Sequence, residues 1–505
     1  MKRVSAPSRA GGMGLERFVY WVERVNGVVN SVVWGPAVLM LILVVGVQFS
    51  CRLGFFQLTR LGLWWSKTVN PLFRREKREQ KDRKAISPFQ ALTTALAGSI
   101  GTGNIVGVAT ALTLGGPGAI FWMWLAAFFG MMTIFAENVL GVRYRVRNQR
   151  GEWAGGAMYY IERGIGCKWL AVIFAAACVL ASFGMGNMTQ SNSIAGALWE
   201  TFSVPPLWTG VAVAALCGVI IFGGIKRISK VTEKIVPFMA VFYMVGGLVV
   251  VAANYRAVPG AFGEIFRQAF SLEAAAGGAG GYVIARAMKF GIARGVFTNE
   301  AGLGSSPIVH AAAETDEPVE QGMWGMFQVF IDTIVVCTMT ALCILCTGVL
   351  STGKQGVALS TAAFETVFGR FGAVFVAVSI AFFAFATLIG WSFYGERSVE
   401  YLAGERLLPV YRLLFAAAAA LGCVMDLQLA WDISDTFNGL MAIPNLIALL
   451  LLSGEVVKVT RDYLERRERP SESPGQTLIR GLPDGRGKKS GRGQNTRRLC
   501  RQAKK

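Results

Sequence analysis

Histidine is almost missing from this 505-residue sequence: His310 is the only one, which excludes a metal centre built on clustered imidazoles. Charge is scarce too. Only 16% of the residues are Asp, Glu, Lys or Arg against 53% hydrophobic, and the mean hydropathy of +0.47 exceeds what a water-exposed globular surface allows. The nine cysteines lack the spacing of a disulfide framework. Cys343 and Cys346 form a C-x-x-C inside the apolar run ALCILCTGVL, with no further ligand nearby, so a packing role is expected. Asp332, Glu300 and Glu137 could serve as acid and base in a membrane enzyme, but the sequence supplies no adjacent nucleophile–base pair. No small-residue cleavage site accompanies the first apolar run, so no cleavable signal peptide is expected.

The charge that is present sits in two places. Residues 51–87 carry ten basic and three acidic side chains and residues 456–505 carry fifteen and five, so these stretches supply +17 of the net +19. The remainder is close to neutral and strongly apolar, the partition expected of a polytopic membrane protein. A span needs about 20 apolar residues, and eleven runs approach that length: 30–50, 88–112, 117–141, 169–192, 207–224, 234–253, 279–301, 323–350, 372–396, 408–425 and 434–454. Alternate loops then fall on opposite sides. The loop 51–87, the loop with Arg143, Arg145, Arg147 and Arg150, the loop with Lys226, Arg227, Lys230 and Lys234, and the tail share one side, which the positive-inside rule makes cytoplasmic. The opposite loops 112–117, 193–206 and 426–433 have no Lys or Arg. The expected setting is a bacterial inner (cytoplasmic) membrane, with the N-terminus outside and the C-terminus in the cytoplasm. The basic N-terminal segment and the acidic loop of Glu314, Asp316, Glu317 and Glu320 fit this orientation poorly. Residues 51–66 read as an amphipathic helix in the interface. The tail beyond Arg469 reads as disordered, its charge meeting anionic lipid rather than nucleic acid.

Two apolar segments are interrupted by glycine. GSIGTGNIVGVAT (98–110) places Gly98, Gly101, Gly103 and Gly107 in one span, and FGIARGVFTNEAGLGSSPIVHAAA (290–313) lies about five spans later. Gly101-Thr102-Gly103-Asn104 resembles Gly302-Leu303-Gly304-Ser305, each followed by Ile-Val, the second time after a short gap. Unwound backbone in lipid is tolerated only where it lines a cavity or is covered by protein. Paired interruptions at matching places of two halves point to the binding site of a secondary transporter.

GTGNIVGVATALTLGGPGAIFWMW, FAENVLGVRYR, GGAMYYIERG, FGMGNMTQSNSI and FTNEAGLGSSPIVHAAAETDEPVEQGMW, in this order, resemble the alanine/glycine:cation symporter (sodium:alanine symporter) family, from about residue 30 to 455. The resemblance implies an all-α LeuT-like core, a five-plus-five inverted repeat preceded by one extra N-terminal helix. The chain then divides into a polar segment 1–29, a transporter domain 30–455 with repeats at about 88–253 and 279–454, and the basic tail 456–505. Sodium-coupled symport of alanine or glycine by alternating access is the implied activity, with no cofactor besides the coupling sodium. Proton coupling is the alternative, and a channel or nutrient sensor the remoter one.

An amino-acid zwitterion needs donors for its carboxylate and acceptors for its ammonium. Freed amides of Thr102, Gly103 and Asn104 at a half-helix N-terminus suit the carboxylate. Carbonyls near Phe290 and Gly291 suit the ammonium, although the second unwound turn could be 290–295 or 302–305. Sodium wants oxygen ligands. The resemblance assigns one cation site to the Ala97 and Ile100 carbonyls with Thr387, and another to Asn104. Asp332, an ionisable group within an apolar span, is expected to neighbour a cation site. Asn187 and Gln190, three apart, share a helical face and are expected to line the pocket. Thr387 and Trp391, four apart, also share a face, and the indole is placed to close the pocket around a small side chain. Glu137 reads as an ion-paired gate or structural residue beside Arg143 and Arg145, Glu300 as orienting the second break, and His310 as a hydrogen-bonding residue.

Overall fold

Long apolar runs can satisfy their backbone in a membrane only as helices, and the computed structural model consists almost wholly of helices. It describes residues 13–73, 82, 84–270, 280–425 and 428–468. The described residues fall into two units, one ending at Thr460 and one beginning at Arg461. The part of the tail expected to be disordered and to meet lipid lies outside the described residues.

Among the described residues, eight helices are long and apolar enough to cross a membrane: Tyr20–Arg52, Gly118–Arg143, Lys168–Phe202, Gly224–Ala253, Pro318–Cys346, Arg370–Ala403, Glu405–Val424 and Asp432–Leu451. Pro88–Ser99 and Thr102–Gly115 pass the same measures together as one segment bent by 61°, which makes nine if the pair is counted as one span. The other two expected spans are helical but fall short by these measures. Pro206–Ile221 has 16 residues, and Gly280–Asn299 has 20 but carries Arg286, Lys289 and Arg294. The expected count of eleven is therefore not reached on length and composition. At the start of the chain, Met13–Val33 is a helix that includes part of the segment expected to be merely polar.

Local chemistry explains where the first broken span begins. Ser87 accepts a hydrogen bond from the Gln90 amide while Gln90 reaches back to the Ser87 amide, and Pro88 occupies the first helical position. Two other spans carry wide turns, Gly184–Met188 and Phe330–Cys337, where the helix is locally of the π type. Such turns expose backbone and alter side-chain phase, and they concentrate at functional sites. Here one lies beside each side of the first break. The Gly118–Arg143 helix packs against both Gly280–Asn299 and Pro318–Val329.

The region 51–66 differs from its expected single helix. The helix Pro36–Arg52 ends in a turn with positive φ at Gly54 and Phe55, and two short helices follow, Phe56–Thr59 and Leu61–Thr68. Trp64 is buried and donates to the Gln57 carbonyl at 3.1 Å, while Leu58, Leu61 and Trp65 stay exposed. At the same end of the bundle, a short antiparallel pair joins Val146–Arg147 to Trp153–Ala154, and Arg145 and Arg147 stack on Trp153 at 4.1 and 3.9 Å. Arg397 is buried and pairs with Glu152 at 2.6 Å and with Glu400.

Candidate functional site

The first break is made by one local exchange of partners. The Gly101 amide donates to Asn104 Oδ1 at 2.9 Å instead of turning back to Ala97, and the Ala97 carbonyl has no donor among the described residues. A single 3-10 turn, Thr102–Asn104, then leads into Val106–Gly115. The amides of Thr102 and Gly103 have no acceptor among the described residues, although both residues are buried. Two unpaired N–H groups at the start of a helix form an anion site by construction.

Neighbouring spans bring oxygens to this turn. Thr387 Oγ1 lies 3.4 Å from the Ile100 carbonyl and 3.1 Å from that of Phe383. A Cβ on Gly101 would stand 2.4 Å from Thr387 Oγ1, so only glycine admits this approach. Asn104 Nδ2 donates to Asp332 Oδ1 at 2.8 Å and to the Asp332 carbonyl at 3.2 Å. Asp332 Oδ2 accepts from Thr333 at 2.8 Å, and Thr333 accepts from Asn299 at 3.0 Å. Thr102 Oγ1 donates to Gln190 Oε1 at 3.1 Å, and Gln190 Nε2 donates to the Met185 carbonyl at 3.0 Å. Trp391 is fully buried, donates to the Gly98 carbonyl at 3.3 Å, and packs so tightly on Gly186 that a Cβ there would lie 2.3 Å from its own Cβ. The structure thus gathers Ala97, Ile100, Thr102, Gly103, Asn104, Gln190, Asp332, Thr387 and Trp391 around one turn.

Three residues are elsewhere. Gly280–Asn299 is continuous, so Phe290 and Gly291 lie inside a helix and their carbonyls are not those of a break. Gly291 is there for packing: a Cβ would come 2.2 Å from the Ala119 carbonyl. The second unwound stretch is 300–305. The last carbonyls before it, those of Phe297 and Thr298, accept no hydrogen bond among the described residues. They adjoin the first break, because a Cβ on Gly103 would meet Thr298 Cγ2 at 2.8 Å and Phe297 Cδ1 at 3.3 Å. Asn187 turns away from the first break, donating to the Phe415 carbonyl at 2.6 Å. Its role here is to tie two helices together.

The second break is closed by Glu137, in a structural role and not through the expected ion pair. Glu137 makes no ion pair with Arg143 or Arg145. It is fully buried, and its Oε1 accepts from the Gly302 amide at 3.0 Å, the Gly304 amide at 3.1 Å and Asn445 Nδ2 at 2.5 Å. Asn445 also donates to the Gly302 carbonyl at 2.9 Å and accepts from Tyr160. Glu300, at a positive φ of 61°, accepts from Ser305 at 2.7 Å. Arg143 instead pairs with Glu455 at 3.1 Å, and Arg145 binds the Ala311 and Ala313 carbonyls at 3.1 and 2.7 Å. His310 Nδ1 lies 2.7 Å from Gln321 Nε2, in keeping with a hydrogen-bonding residue. Among the described residues no group of His, Cys, Asp and Glu could hold a metal by itself, and Cys343 and Cys346 are free and buried.

Residues 19–476 match the sodium:alanine symporter family. The chain belongs to that family. It is 47% identical over 461 residues to the sodium/alanine symporter AgcS of Methanococcus maripaludis, covering 90% of this chain and 99% of that one. It is 40% identical over 450 residues to the probable sodium/glutamine symporter GlnT of Bacillus subtilis, covering 88% and 92%. Among solved structures, MhsT in complex with L-phenylalanine matches with a TM-score of 0.53 at 15% identity, covering 74% of this chain and 90% of that one. That likeness bears on the fold alone, which is all-α and LeuT-like. A sodium:alanine symporter family member with this many apolar helices is an integral membrane transporter of the amino-acid symporter kind.

Proposed function

We propose that the protein is a sodium-coupled symporter of a small neutral amino acid, alanine or glycine, working by alternating access in a bacterial inner membrane with the basic tail on the cytoplasmic side. The observation that carries this reading is the first break, where two buried amides with no acceptor among the described residues stand beside the Ile100 carbonyl and the Thr387 hydroxyl. In this reading Thr102, Gly103 and the start of the following helix bind the substrate carboxylate. The ammonium goes to the carbonyls of Phe297 and Thr298 rather than to those near Phe290 and Gly291. Gln190 holds Thr102 in place, and Trp391 lies one helical turn past Thr387. One sodium takes the Ala97 and Ile100 carbonyls with Thr387 Oγ1, and a second takes Asn104 beside the Asp332 carboxyl. A site of oxygens alone suits a hard monovalent cation.

Uptake of labelled small amino acids into proteoliposomes tests the reading. Replacing external sodium by choline at fixed pH and voltage should abolish accumulation. Full accumulation driven by a proton gradient alone would sink the sodium assignment and favour proton coupling. Gradient-independent leak would instead mark a channel, and binding without uptake a sensor. The tail is proposed to serve anionic lipid rather than transport, so truncation after Arg469 should leave the apparent affinity for alanine unchanged in the same assay.

A further inference from the structure

The helix Pro36–Arg52 comes before the LeuT-like core in the chain, yet a row of contacts runs from it to the neighbourhood of Asp332. Two short helices follow it, Phe56–Thr59 and Leu61–Thr68, and buried hydrogen bonds tie the three together. Ser50 Oγ donates to the Gly46 carbonyl at 2.8 Å, Gln57 Nε2 to Ser50 Oγ at 2.9 Å, and Trp64 Nε1 to the Gln57 carbonyl at 3.1 Å. Gly46 is itself pressed on the Gly118–Arg143 helix, where a Cβ would stand 2.7 Å from the Phe129 carbonyl. Ser50, Gln57 and Trp64 are all buried, and hydrogen bonds shielded from water hold direction well.

The row ends on Phe330. Its ring has Trp64 at 6.1 Å and Trp65 at 6.4 Å, both edge-on, and nearby Lys67 pairs with Glu320 at 2.5 Å. Trp64 is only 2% exposed, which separates it from an interfacial anchor, whereas Trp65 beside it is 43% exposed. Phe330 opens the wide turn Phe330–Cys337, and Asp332 stands two residues further on, away from the face that Phe330 takes. That other face meets the first break, because the carboxylate and the carbonyl of Asp332 both accept from Asn104. The wide turn is thus gripped from two sides, by the indoles at Phe330 and by Asn104 at Asp332. The α-helical winding is the favoured one, so a wide turn lasts where contacts from elsewhere hold it. Relaxation to the regular winding would shift the phase of its residues and turn Asp332 from Asn104.

We infer that Trp64 is a positioning residue for the second cation site: by holding Phe330 it keeps the wide turn wound so that Asp332 meets Asn104. That role rests on the proposed function for the cation at Asn104 and Asp332. Trp64 itself touches neither sodium nor substrate. Its effect is therefore selective, since loosening the turn weakens the second cation and leaves the amides of Thr102 and Gly103 in place for the substrate carboxylate. The helix ahead of the core thereby sets sodium affinity inside it.

The test is binding of radioactive sodium to purified full-length protein in nanodiscs, with labelled-alanine binding at saturating sodium as a second readout. Trp64→Ala and Phe330→Ala should each raise the sodium needed for half-saturation by about threefold to tenfold, the range of a lost ring contact. Alanine binding at saturating sodium should stay at the wild-type level. Trp64→Phe keeps a ring against Phe330 and should recover most of the sodium affinity. In an Asp332→Asn background Trp64→Ala should add nothing, because the carboxylate it positions is gone. Where Trp64→Ala fails to elute as a folded protein on size exclusion, Phe330→Ala reaches the same contact from the other side. Wild-type sodium binding in both variants overturns the inference, and a rise in Asp332→Asn alone would leave the cation assignment standing. Alanine binding that weakens in step with sodium reports a general loosening and overturns the inference too. So does an effect of Trp64→Ala that adds in full to that of Asp332→Asn. If the sodium shifts appear and sodium drives no uptake into proteoliposomes, the positioning role stands and the proposed symport falls.

Discussion

The two breaks resemble each other in sequence and differ in what their backbones do. At the first, the amides of Thr102 and Gly103 are buried without an acceptor among the described residues. At the second, every amide from 300 to 304 is bonded within the protein. Glu300 donates to Val296, Ala301 to Asn299 Oδ1, Leu303 to Glu300, and Gly302 and Gly304 to Glu137. Both are interruptions of a membrane helix, and freed backbone at that depth has to be satisfied. The second is satisfied by its own protein, so it behaves as a braced corner. The first leaves two amides free among the described residues, and the proposed function gives them to the substrate carboxylate. The difference teaches that glycine content locates a break but not its purpose, which depends on whether a neighbouring side chain has already taken the freed groups.

The largest effect should come from removing the brace. Glu137→Ala strands the Gly302 and Gly304 amides in a buried setting at about 1–3 kcal/mol each, a large share of a folded protein's margin of about 5–15 kcal/mol. The variant should aggregate or melt at markedly lower temperature on size exclusion after heating. Glu137→Gln keeps an acceptor oxygen at the same place and should lose much less. Equal loss in both variants would mean that the negative charge, and not the hydrogen bonds, holds the corner.

A smaller but more selective effect belongs to the open break. Thr387→Ala removes the hydroxyl beside the Ile100 carbonyl and leaves the helix otherwise intact. One lost contact to a charged group is worth about 1.5–3 kcal/mol, or roughly a tenfold to hundredfold rise in the sodium needed for half-maximal uptake. Thr387→Ser retains the oxygen and should restore most of the sodium affinity. If the Ala variant keeps the wild-type sodium dependence, the open break is not where the cation binds, and the contrast between the breaks loses its functional meaning.

The first break was legible because its signal is local: glycine and polar residues inside an apolar run, together with the half-helix geometry they impose. Gln190, Asp332 and Thr387 could be named because a polar group in an apolar span needs a partner. The second break was ambiguous because Gly291 and Gly295 look like Gly302 and Gly304 in sequence. Only packing separates them, since Gly291 admits the Ala119 carbonyl whereas Gly302 and Gly304 adopt φ of 96° and 77°. Asn187 was misplaced by counting three residues along a regular helix, and the wide turn Gly184–Met188 shifts the phase just there. The partners of Glu137 were not foreseen because they are backbone amides 165 and 167 residues away, which leave no mark in the local sequence. The run 279–301 is helical as Gly280–Asn299, but Arg286, Lys289 and Arg294 keep it from counting as a membrane span on composition.

Trp391 gives the smallest and most specific way to sharpen the comparison. Its indole is bonded to Gly98, just before the first break, and its Cβ sits against Gly186 at a distance no other residue there would allow. If the open break alone holds the substrate, the volume of this ring should limit the side chain that fits, while changes around the braced corner should not alter selectivity. Trp391→Ala should let valine- or leucine-sized amino acids compete with labelled alanine for uptake. Alanine itself should bind more weakly, having lost a packing surface. A methylene in an apolar pocket is worth about 1–3 kcal/mol of discrimination, so preference should relax rather than invert. Sodium dependence should persist, because the ring offers no oxygen to a cation. A folded variant that still ignores valine and leucine would mean that Trp391 supports the helix from behind, and that the substrate's side chain lies on another face of the turn at Thr102 and Gly103.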